Sequence, residues 1–457
     1  MSLARNDQKT KSLSELNLQA AFNNDTVSSN CTFTYMETFK EIIGFQNLIE
    51  KSITHQKPAN STFSTTVVLD YLIDANIQGY FRFQHLDDFR KDSGYLKIKD
   101  SELPSEKVCR DLLKQLPEKS TDELRQLNKE LLALQAKNEQ PREVTLNFDD
   151  TVCTIFGKQQ GAGTGYNPRY HGRASYKEKI GMIAQTDELL DATLENGKHH
   201  TNYEFLEFFR SCENTIPDSW YIKRIRGDAG LFDQDNFDYF EDQSIEYIIK
   251  ARKMSGINKI INYVNRNQGQ FPWQKIDKIY SLTEIRTALP AWEKDRRIVL
   301  VRKSLPQTKK DGQLIIDLDE IKYEYQAIIT NIDYLTVKEI FDDYNQRCDV
   351  ENKIDELKVG FAFDQNSQRN KKCNELYLLI KVVAYNLHNW FKRSILPESM
   401  HHHEIATIRR KLYKKVGNIV GNGRYRHIRF APCSWLKCLI THIRDTLKQF
   451  KKQVVFT

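Results

Sequence analysis

One stretch of the sequence decides the fold that we predict: Tyr344-Asn-Gln-Arg347-Cys-Asp-Val-Glu351-Asn-Lys-Ile-Asp-Glu-Leu-Lys358. On a helical wheel of 100° per residue, the four numbered side chains fall within a stripe of about 60°. An apolar stripe lies beside them, so the pattern predicts one amphipathic helix over 337–358 that holds these groups rigidly at the edge of a buried face. An ordinary ion pair between Arg347 and Glu351, four residues apart, is the simpler explanation of that one pair.

Two aspartate motifs precede this helix. The motif Asn-Phe-Asp149-Asp150-Thr-Val follows alternating apolar residues, which predict a strand that ends at the two aspartates, with 151–156 as its partner strand. The motif Gly-Asp228-Ala-Gly follows a second predicted strand. Neighbouring strand residues point to opposite faces, so only one of Asp149 and Asp150 is expected to face the site.

These motifs together resemble a known family. The spacing Tyr-x2-Arg-x3-Glu-x6-Lys resembles, without a gap, the signature of cut-and-paste transposases of the insertion sequence 4 type. The resemblance to the insertion sequence 1380 family in particular covers about residues 36–430 and is carried by Asn147-Phe-Asp-Asp-Thr-Val, Gly165-Tyr-Asn-Pro, Ile225-Arg-Gly-Asp-Ala-Gly, Ile329-Thr-Asn and Thr407-Ile-Arg-Arg-Lys-Leu. It implies an α/β ribonuclease H-like catalytic core, interrupted by a β-rich insertion and flanked by helical N- and C-terminal regions.

The resemblance also implies the catalytic residues, which are Asp149, Asp228 and Glu351. The same three carboxylates are expected to bind two Mg²⁺ ions, with Mn²⁺ able to substitute. Mg²⁺ prefers a few carboxylates together with waters and phosphate oxygens. A pair of such ions activates the attacking oxygen and stabilises the leaving one. Asp150 remains an alternative to Asp149 as the first ligand, although the match to the family pattern favours Asp149.

Further residues are expected to bind DNA. By the resemblance, Tyr344, Arg347 and Lys358 contact phosphates beside the cut strand, where Arg offers a forked donor and Lys a point charge. Relatives use a Trp of the insertion to stack on a flipped base, and Trp292 is the first candidate here, with Trp273 as the second. Simple packing of these tryptophans in a core is the competing interpretation.

A glycine-rich loop and the C-terminal end carry the remaining positive charge. Lys158, Arg169 and Arg173 flank the Gly157–Gly165 stretch and are expected to contact the DNA backbone, unless the loop is only a hairpin tip. The whole chain has a net charge of +7. From Trp390 to Thr457 there are 15 Lys and Arg against three Asp and Glu, a local charge of +12 that predicts a polyanionic partner.

We predict six segments along the chain: a flexible tail over 1–30, a helical DNA-binding or dimerisation region over 31–140, the first part of the core over 141–255, the β-rich insertion over 256–332, the second part of the core over 333–395, and a basic helical region over 396–457. The longest apolar stretch is short and contains Lys381, so no membrane span is expected. Eight cysteines without a Cys-x-x-Cys pair fit a reducing cytoplasm.

The expected activity is cutting at the terminal inverted repeats of an insertion sequence and joining of the 3′-hydroxyl ends to target DNA. Two ends must be handled together, so a homodimer in a synaptic complex on double-stranded DNA is expected. Two alternatives stay open: a nuclease with the same core that does not integrate, and a non-catalytic DNA-binding derivative. The three acidic residues argue against the second alternative.

Overall fold

Helices dominate the first part of the computed structural model, which describes residues 27–137, 139–305, 322–421 and 427–455. After a short strand, β1 (Val27–Ser28), come α1 (Thr34–Ile42), α2 (Phe45–Ser52), α3 (Thr65–Gln78), α4 (Phe83–Arg90), α5 (Ser93–Lys99), α6 (Glu106–Gln115) and α7 (Ser120–Ala136). Local signals set these bounds: the Ser64 side chain caps α3, and Gly79, with a φ of +92°, ends it. Whether this helical segment binds DNA stays a prediction.

The predicted tail over 1–30 requires a correction at its end. Residues 1–26 lie outside the described residues. Val27–Ser28 pairs with a C-terminal strand, Gly417–Val420, and is therefore part of the fold. The backbone groups of this segment find partners more than 380 residues away, which no local pattern could have indicated.

A ten-stranded mixed sheet forms the centre of the molecule. Its strands are β2 (Arg142–Thr154), β3 (Gly163–Thr164), β4 (Ala174–Ile183), β5 (Leu189–Asn196), β6 (Trp220–Gly227), β7 (Glu246–Lys250), β8 (Gln274–Lys275), β9 (Tyr280–Thr287), β10 (Arg296–Ser304) and β11 (Tyr323–Thr330). Their order is β3-β4-β2-β6-β7-β11-β10-β9-β8, with β5 on the free side of β4. Strands β2, β6 and β7 are parallel, and the other pairs are antiparallel.

The predicted strand pair around the two aspartates is wrong. Strand β2 runs without a turn through Asp149 and Asp150, and its antiparallel partner is β4. Residues 151–156 contain β-branched and aromatic side chains and no glycine or proline until Gly157. The strand therefore continues until the first residue that favours a turn.

The segment 256–332 extends the central sheet. It begins with a helix, α10 (Ser255–Arg266), and then supplies β8 to β11. Strand β11 pairs with β7, so the added strands continue the same sheet from its parallel edge. The β-rich content expected for this segment is present after its first helix.

Two further helices, α8 (Phe205–Thr215) and α9 (Gln234–Asp242), cover one face of the sheet together with α10. On this face Val144, Leu146 and Phe148 of β2 pack against Phe209 of α8. The opposite face of β2 and β4 packs on the N-terminal helices and on the C-terminal helices described next. Alternate residues of one strand thus enter two different cores, as the strand period of two requires.

The C-terminal part contains α11 (Val337–Asn345), α12 (Cys348–Phe361), α13 (Lys371–Ile395), α14 (Ile405–Ile408), β12 (Gly417–Val420), β13 (His427–Arg429) and α15 (Ser434–Val455), with a π-helical turn over Arg409–Tyr413. Helix α13 is buried over most of its length between the N-terminal helices and the sheet. No helix among the described residues is both long and apolar enough to cross a bilayer.

Candidate active site

Strand β2 sends its two aspartates to opposite faces of the sheet. The Asp149 Oδ2 atom lies 3.0 Å from the Arg347 Nη2 atom of the linker between α11 and α12. The Asp150 Oδ2 atom instead pairs with the Lys177 Nζ atom of β4 at 3.1 Å. The strand alternation used to separate the two candidates therefore operates here, and Asp149 is the one that faces the signature helix.

Asp228 lies beside Asp149 on the neighbouring strand. The parallel pairing of β2 with β6 ends at Asn147 opposite Arg226, so continuing the register brings Asp149 level with Asp228. The Asp228 side chain accepts a hydrogen bond of 2.7 Å from the Gly230 backbone N–H, which fixes its carboxylate at the strand end. The pairing of β2 with β6 thus brings together two aspartates that are 79 positions apart in the chain.

Arg347 links the first aspartate to the third predicted acid. Its guanidinium is almost fully buried, and its Nη1 atom lies 3.4 Å from the Glu351 Oε1 atom. The Glu351 side chain is 68% exposed, so this carboxylate lies at the open side of the site. Asp149 and Glu351 thus form ion pairs with one arginine, and the charge of Asp228 also acts on that guanidinium and helps to raise its pKa. The ligand atoms of the three acids do not all lie within 4.8 Å of one another, and Glu351 is the most accessible of the three.

The signature helix is not continuous, which corrects the prediction of one helix over 337–358. Helix α11 ends at Asn345 and α12 begins at Cys348. Hydrogen bonds from the Arg347 N–H to the Tyr344 carbonyl (3.0 Å) and from the Val350 N–H to the Arg347 carbonyl (2.9 Å) tighten the chain between them. No proline or glycine marks the bend, and the tertiary ion pair between Arg347 and Asp149 lies at this point.

Burial and neighbouring charges shift the pKa values of Asp149 and Tyr344. Burial raises the pKa of Asp149 to about 7; the Arg347 guanidinium opposes this rise, and the negative charge of Asp228 adds to it. Burial likewise raises the pKa of the Tyr344 hydroxyl to about 12, again opposed by Arg347 and reinforced by Asp228. Carboxylates that are buried beside one another are the groups that a divalent cation would stabilise in their charged form.

Lys358 occupies the same edge of α12, two turns beyond Glu351. Its Nζ atom lies 3.9 Å from Asp355 Oδ1, and three quarters of its side chain is buried. The burial of Cys153 on β2 raises the pKa of its thiol well above the ordinary value, and the charge of Lys358 acts against that rise. Lys358 therefore faces the sheet near the far end of β2, on the face that carries Asp149.

Trp292 borders a cavity of about 670 Å³. The Arg252 side chain of the same cavity donates hydrogen bonds to the Ala229 and Gly230 carbonyls, directly after Asp228. Trp292 also packs in the core, with its ring centroid 5.8 Å from those of Phe232 and Phe237. Trp273, the second candidate, packs against Arg302, whose guanidinium carbon lies 4.6 Å from its ring centroid. The choice between the two tryptophans therefore stays a prediction.

The three basic residues of the glycine-rich loop are solvent-exposed. Lys158, Arg169 and Arg173 belong to the segment that joins β2 to β4. The Gln160 N–H donates to the Arg369 carbonyl at 2.8 Å, which fixes the loop to the residues between α12 and α13. The loop is thus attached to the structure that carries Glu351 and Lys358.

Comparison with known proteins identifies the family. A family model described as transposase DDE domain group 1 matches residues 10–452. The chain belongs to this transposase family. Nothing among the curated proteins matches. Among solved structures, the piggyBac transposase in a synaptic complex with hairpin DNA matches with a TM-score of 0.40 and 12% identity, over 93% of this chain and 83% of that one. A likeness of this degree bears on no activity, so the assignment depends on the family model.

The transposase also contains an acidic cluster that sequence reasoning missed. Among the described residues, only Glu37, Asp70 and Asp74 bring three potential ligand atoms within 4.8 Å of one another. Lys40 Nζ lies 2.5 Å from Asp74 Oδ1, and Lys99 Nζ lies 2.8 Å from Glu37 Oε2, so two ammonium groups already occupy this cluster. The four-residue spacing of the two aspartates on α3 was the available signal.

Proposed function

We propose that the protein is a cut-and-paste DNA transposase in which Asp149, Asp228 and Glu351 are the catalytic, metal-binding residues. The observation that carries this proposal is the convergence of the three acids on Arg347, from two parallel strands and a helix. The gaps of 79 and 123 residues between them make a chance arrangement of this kind uncommon. We also propose that the protein is related to the insertion sequence 1380 family in particular.

The strand order supports a ribonuclease H-like core. The antiparallel strands β5, β4 and β2 are followed in the sheet by the parallel strands β6 and β7, which is compatible with a mixed α/β core of this kind. Asp149 belongs to β2, and Asp228 follows β6.

The donor set fits Mg²⁺ or Mn²⁺. Three carboxylates are hard oxygen ligands, and the pKa of Asp149 is raised mainly because burial removes water from its charged form. When bound, two such ions would stabilise charge on the attacking and leaving oxygens of phosphoryl transfer. Arg347 holds Asp149 and Glu351 in place, and its guanidinium can pass to a phosphate as the carboxylates gain another partner.

The remaining residues would bind DNA around the cut. Tyr344 and Lys358 lie on either side of Glu351 along the signature helices and would position the phosphates next to the reacting one. Trp292 would stack on a base taken out of the helix, and the exposed cations of the Lys158–Arg173 loop would contact the backbone. A homodimer on paired ends is the expected assembly, since both ends must be joined at one target.

The test is an assay of cleavage and joining with the purified full-length chain. The substrate is a duplex taken from the DNA that flanks its gene, cut beforehand to expose the 3′-hydroxyl, with a supercoiled target plasmid and Mg²⁺. Joined products that disappear in the Glu351→Gln variant support the proposal. Cleavage without joining would instead indicate a non-integrating nuclease, and binding without either reaction would indicate a non-catalytic DNA-binding protein.

A further inference from the structure

Exposed aromatic rings are concentrated in the loop between β2 and β4. Phe156 is 67% exposed, Tyr166 is 74% exposed and Tyr170 is 48% exposed, although all three belong to one stretch of 15 residues. Large apolar side chains in such positions usually mark a binding surface when they occur together. The loop therefore presents rings to solvent that the core of the protein does not use.

The rings form an ordered arrangement. Phe156 and Tyr170 contact each other edge to face, with ring centroids 5.4 Å apart at 83°. The Arg173 guanidinium carbon lies 4.9 Å from the Phe156 ring centroid. We call Phe156, Tyr170 and Arg173 the aromatic platform.

The platform has a rigid support. The Asn167 side chain is buried, donates to the Thr154 hydroxyl at 3.0 Å, and accepts from the Tyr170 backbone N–H at 3.0 Å. Gly165 passes so close to the Gly197 carbonyl that an added Cβ would lie 1.8 Å from its oxygen, so only glycine fits there. Exposed rings held by a fixed backbone lose little conformational entropy when they bind a ligand.

The charge around the platform indicates the kind of ligand. From Phe156 to Arg173 there are three Lys and Arg, one His, and no Asp or Glu. Two other exposed tyrosines differ, because the Tyr221 hydroxyl donates to Glu143 and the Tyr334 hydroxyl donates to Glu246. Aromatic faces beside cations and away from carboxylates are suited to a nucleobase with its phosphate, not to an acidic or purely apolar partner.

We propose that the aromatic platform binds an unpaired nucleobase of a single-stranded DNA segment, while Lys158, Arg169 and Arg173 hold the adjoining phosphates. This inference rests on the proposed function, since it assumes that the protein acts on DNA. Bases inside a duplex are stacked on both faces, so the platform is expected to bind DNA only where the two strands are already separated. It adds a second base-binding position to the cavity beside Trp292.

The position of the platform gives the place of that base. From Asp149 to Thr154 the chain is extended, and about 3.3 Å per residue puts Phe156 roughly 20 Å from Asp149. The duplex rise of about 3.4 Å per nucleotide converts this distance to about six nucleotides, and an extended single strand spans it with fewer. The stacked base is therefore expected within about six nucleotides of the phosphate that is cut.

The experiment compares two labelled strands by fluorescence anisotropy with the full-length protein. One is a 20-nucleotide oligothymidylate, and the other is the same strand with abasic sites at its central positions. Phe156→Ala and Phe156→Leu are each expected to weaken binding of the intact strand by about 5- to 100-fold, because both remove the stacking face. Binding of the abasic strand is expected to change less than about twofold. Tyr221→Ala, at an equally exposed ring beside a carboxylate, is the matched control and is expected to bind as the wild type does.

Three results would overturn the platform. Equal losses on the intact and abasic strands would mean that no base is contacted. Wild-type affinity of Phe156→Ala, in a protein that still cuts and joins DNA, would reject the platform and leave the proposed function standing. Dissociation of a dimer by Phe156→Ala without a change in DNA affinity would make this surface a contact between copies of the chain. A wild-type protein that neither binds nor cuts DNA would instead reject the proposed function itself.

Discussion

The chain has two acidic clusters, and they differ in the cations that face them. In the N-terminal cluster, Glu37, Asp70 and Asp74 lie close together but surround the ammonium groups of Lys40 and Lys99. Burial alone would lower the pKa of Lys40, yet the neighbouring carboxylates more than offset it and the pKa is raised. Two ammonium groups thus face three carboxylates in this cluster, and burial together with the charge of Glu37 still raises the pKa of Asp74.

The second cluster has an arginine where the first has two lysines. Asp149, Asp228 and Glu351 are less tightly grouped, share one guanidinium, and open to solvent at Glu351. Closeness of carboxylates is therefore not a sufficient mark of a metal site, because ammonium groups can already occupy the ligand oxygens. A divalent cation needs both free ligand oxygens and a path to them, and the second cluster, which is our proposed site, opens to solvent at Glu351.

The largest expected effect is on catalysis. Glu351→Gln keeps the size of the side chain but removes a carboxylate ligand, so DNA cleavage is expected to fall at least about 10⁴-fold, or about 5.5 kcal/mol in the barrier. Cleavage of a labelled duplex in Mg²⁺ measures it. Asp355→Asn on the same helix is the matched control, since Asp355 is exposed and faces Lys358 at only 3.9 Å. Equal loss in both variants would contradict a specific role for Glu351.

The next effect is on stability and separates the two clusters. Lys40→Met leaves three buried carboxylates with one ammonium group, so the free energy of unfolding is expected to fall by about 3–5 kcal/mol. Urea unfolding measures it, and the fraction that remains folded should cleave DNA at the wild-type rate. The control, Lys338→Met, removes a solvent-exposed pair with Asp342 and should leave unfolding nearly unchanged. Loss of Mg²⁺-dependent cleavage in folded Lys40→Met would overturn the structural role of this cluster.

A smaller effect is a change in stability that is expected to have opposite signs when the two adjacent aspartates are replaced. The folded-state pKa of Asp149, about 7, lies above its ordinary value of 3.8, so the ionised carboxylate destabilises the fold fully above pH 7. Asp149→Asn is therefore expected to stabilise the protein by about 2 kcal/mol at pH 8, a gain that disappears toward pH 4. Asp150→Asn should instead destabilise it by about 1 kcal/mol, because Lys177 loses its partner. Thermal unfolding of both variants at pH 8 and pH 4 measures the two changes in stability. Changes of the same sign in both variants at pH 8 would contradict the expected difference between the two positions.

The smallest effect is the response to metal. Mn²⁺ at about ten times its dissociation constant should raise the free energy of unfolding by about 1.4 kcal/mol in the wild type. Lys40→Met should keep this increment, and Asp149→Asn should lose most of it. An increment that survives in Asp149→Asn but not in Lys40→Met would transfer the metal site to the N-terminal cluster.

Much of the site could be predicted from the sequence because its signals are local. The fixed spacing from Tyr344 to Lys358 indicated a helical edge, and strand alternation separated Asp149 from Asp150 before any contact was known. The break between α11 and α12 at Arg347 could not be predicted in the same way. Nothing in the neighbouring sequence breaks a helix, and at the break Arg347 pairs with Asp149, almost 200 positions earlier.

The sequence by itself determined which residues we propose as catalytic, because residue type and spacing along one element are written in the chain. It also determined the periodicity that divides strand β2 between two faces. Only the tertiary structure decided which acids have charge left to offer. Lys40 and Lys99 reach the N-terminal cluster from separate helices, whereas a single arginine reaches Asp149, and such long-range pairing depends on how the helices and the sheet pack.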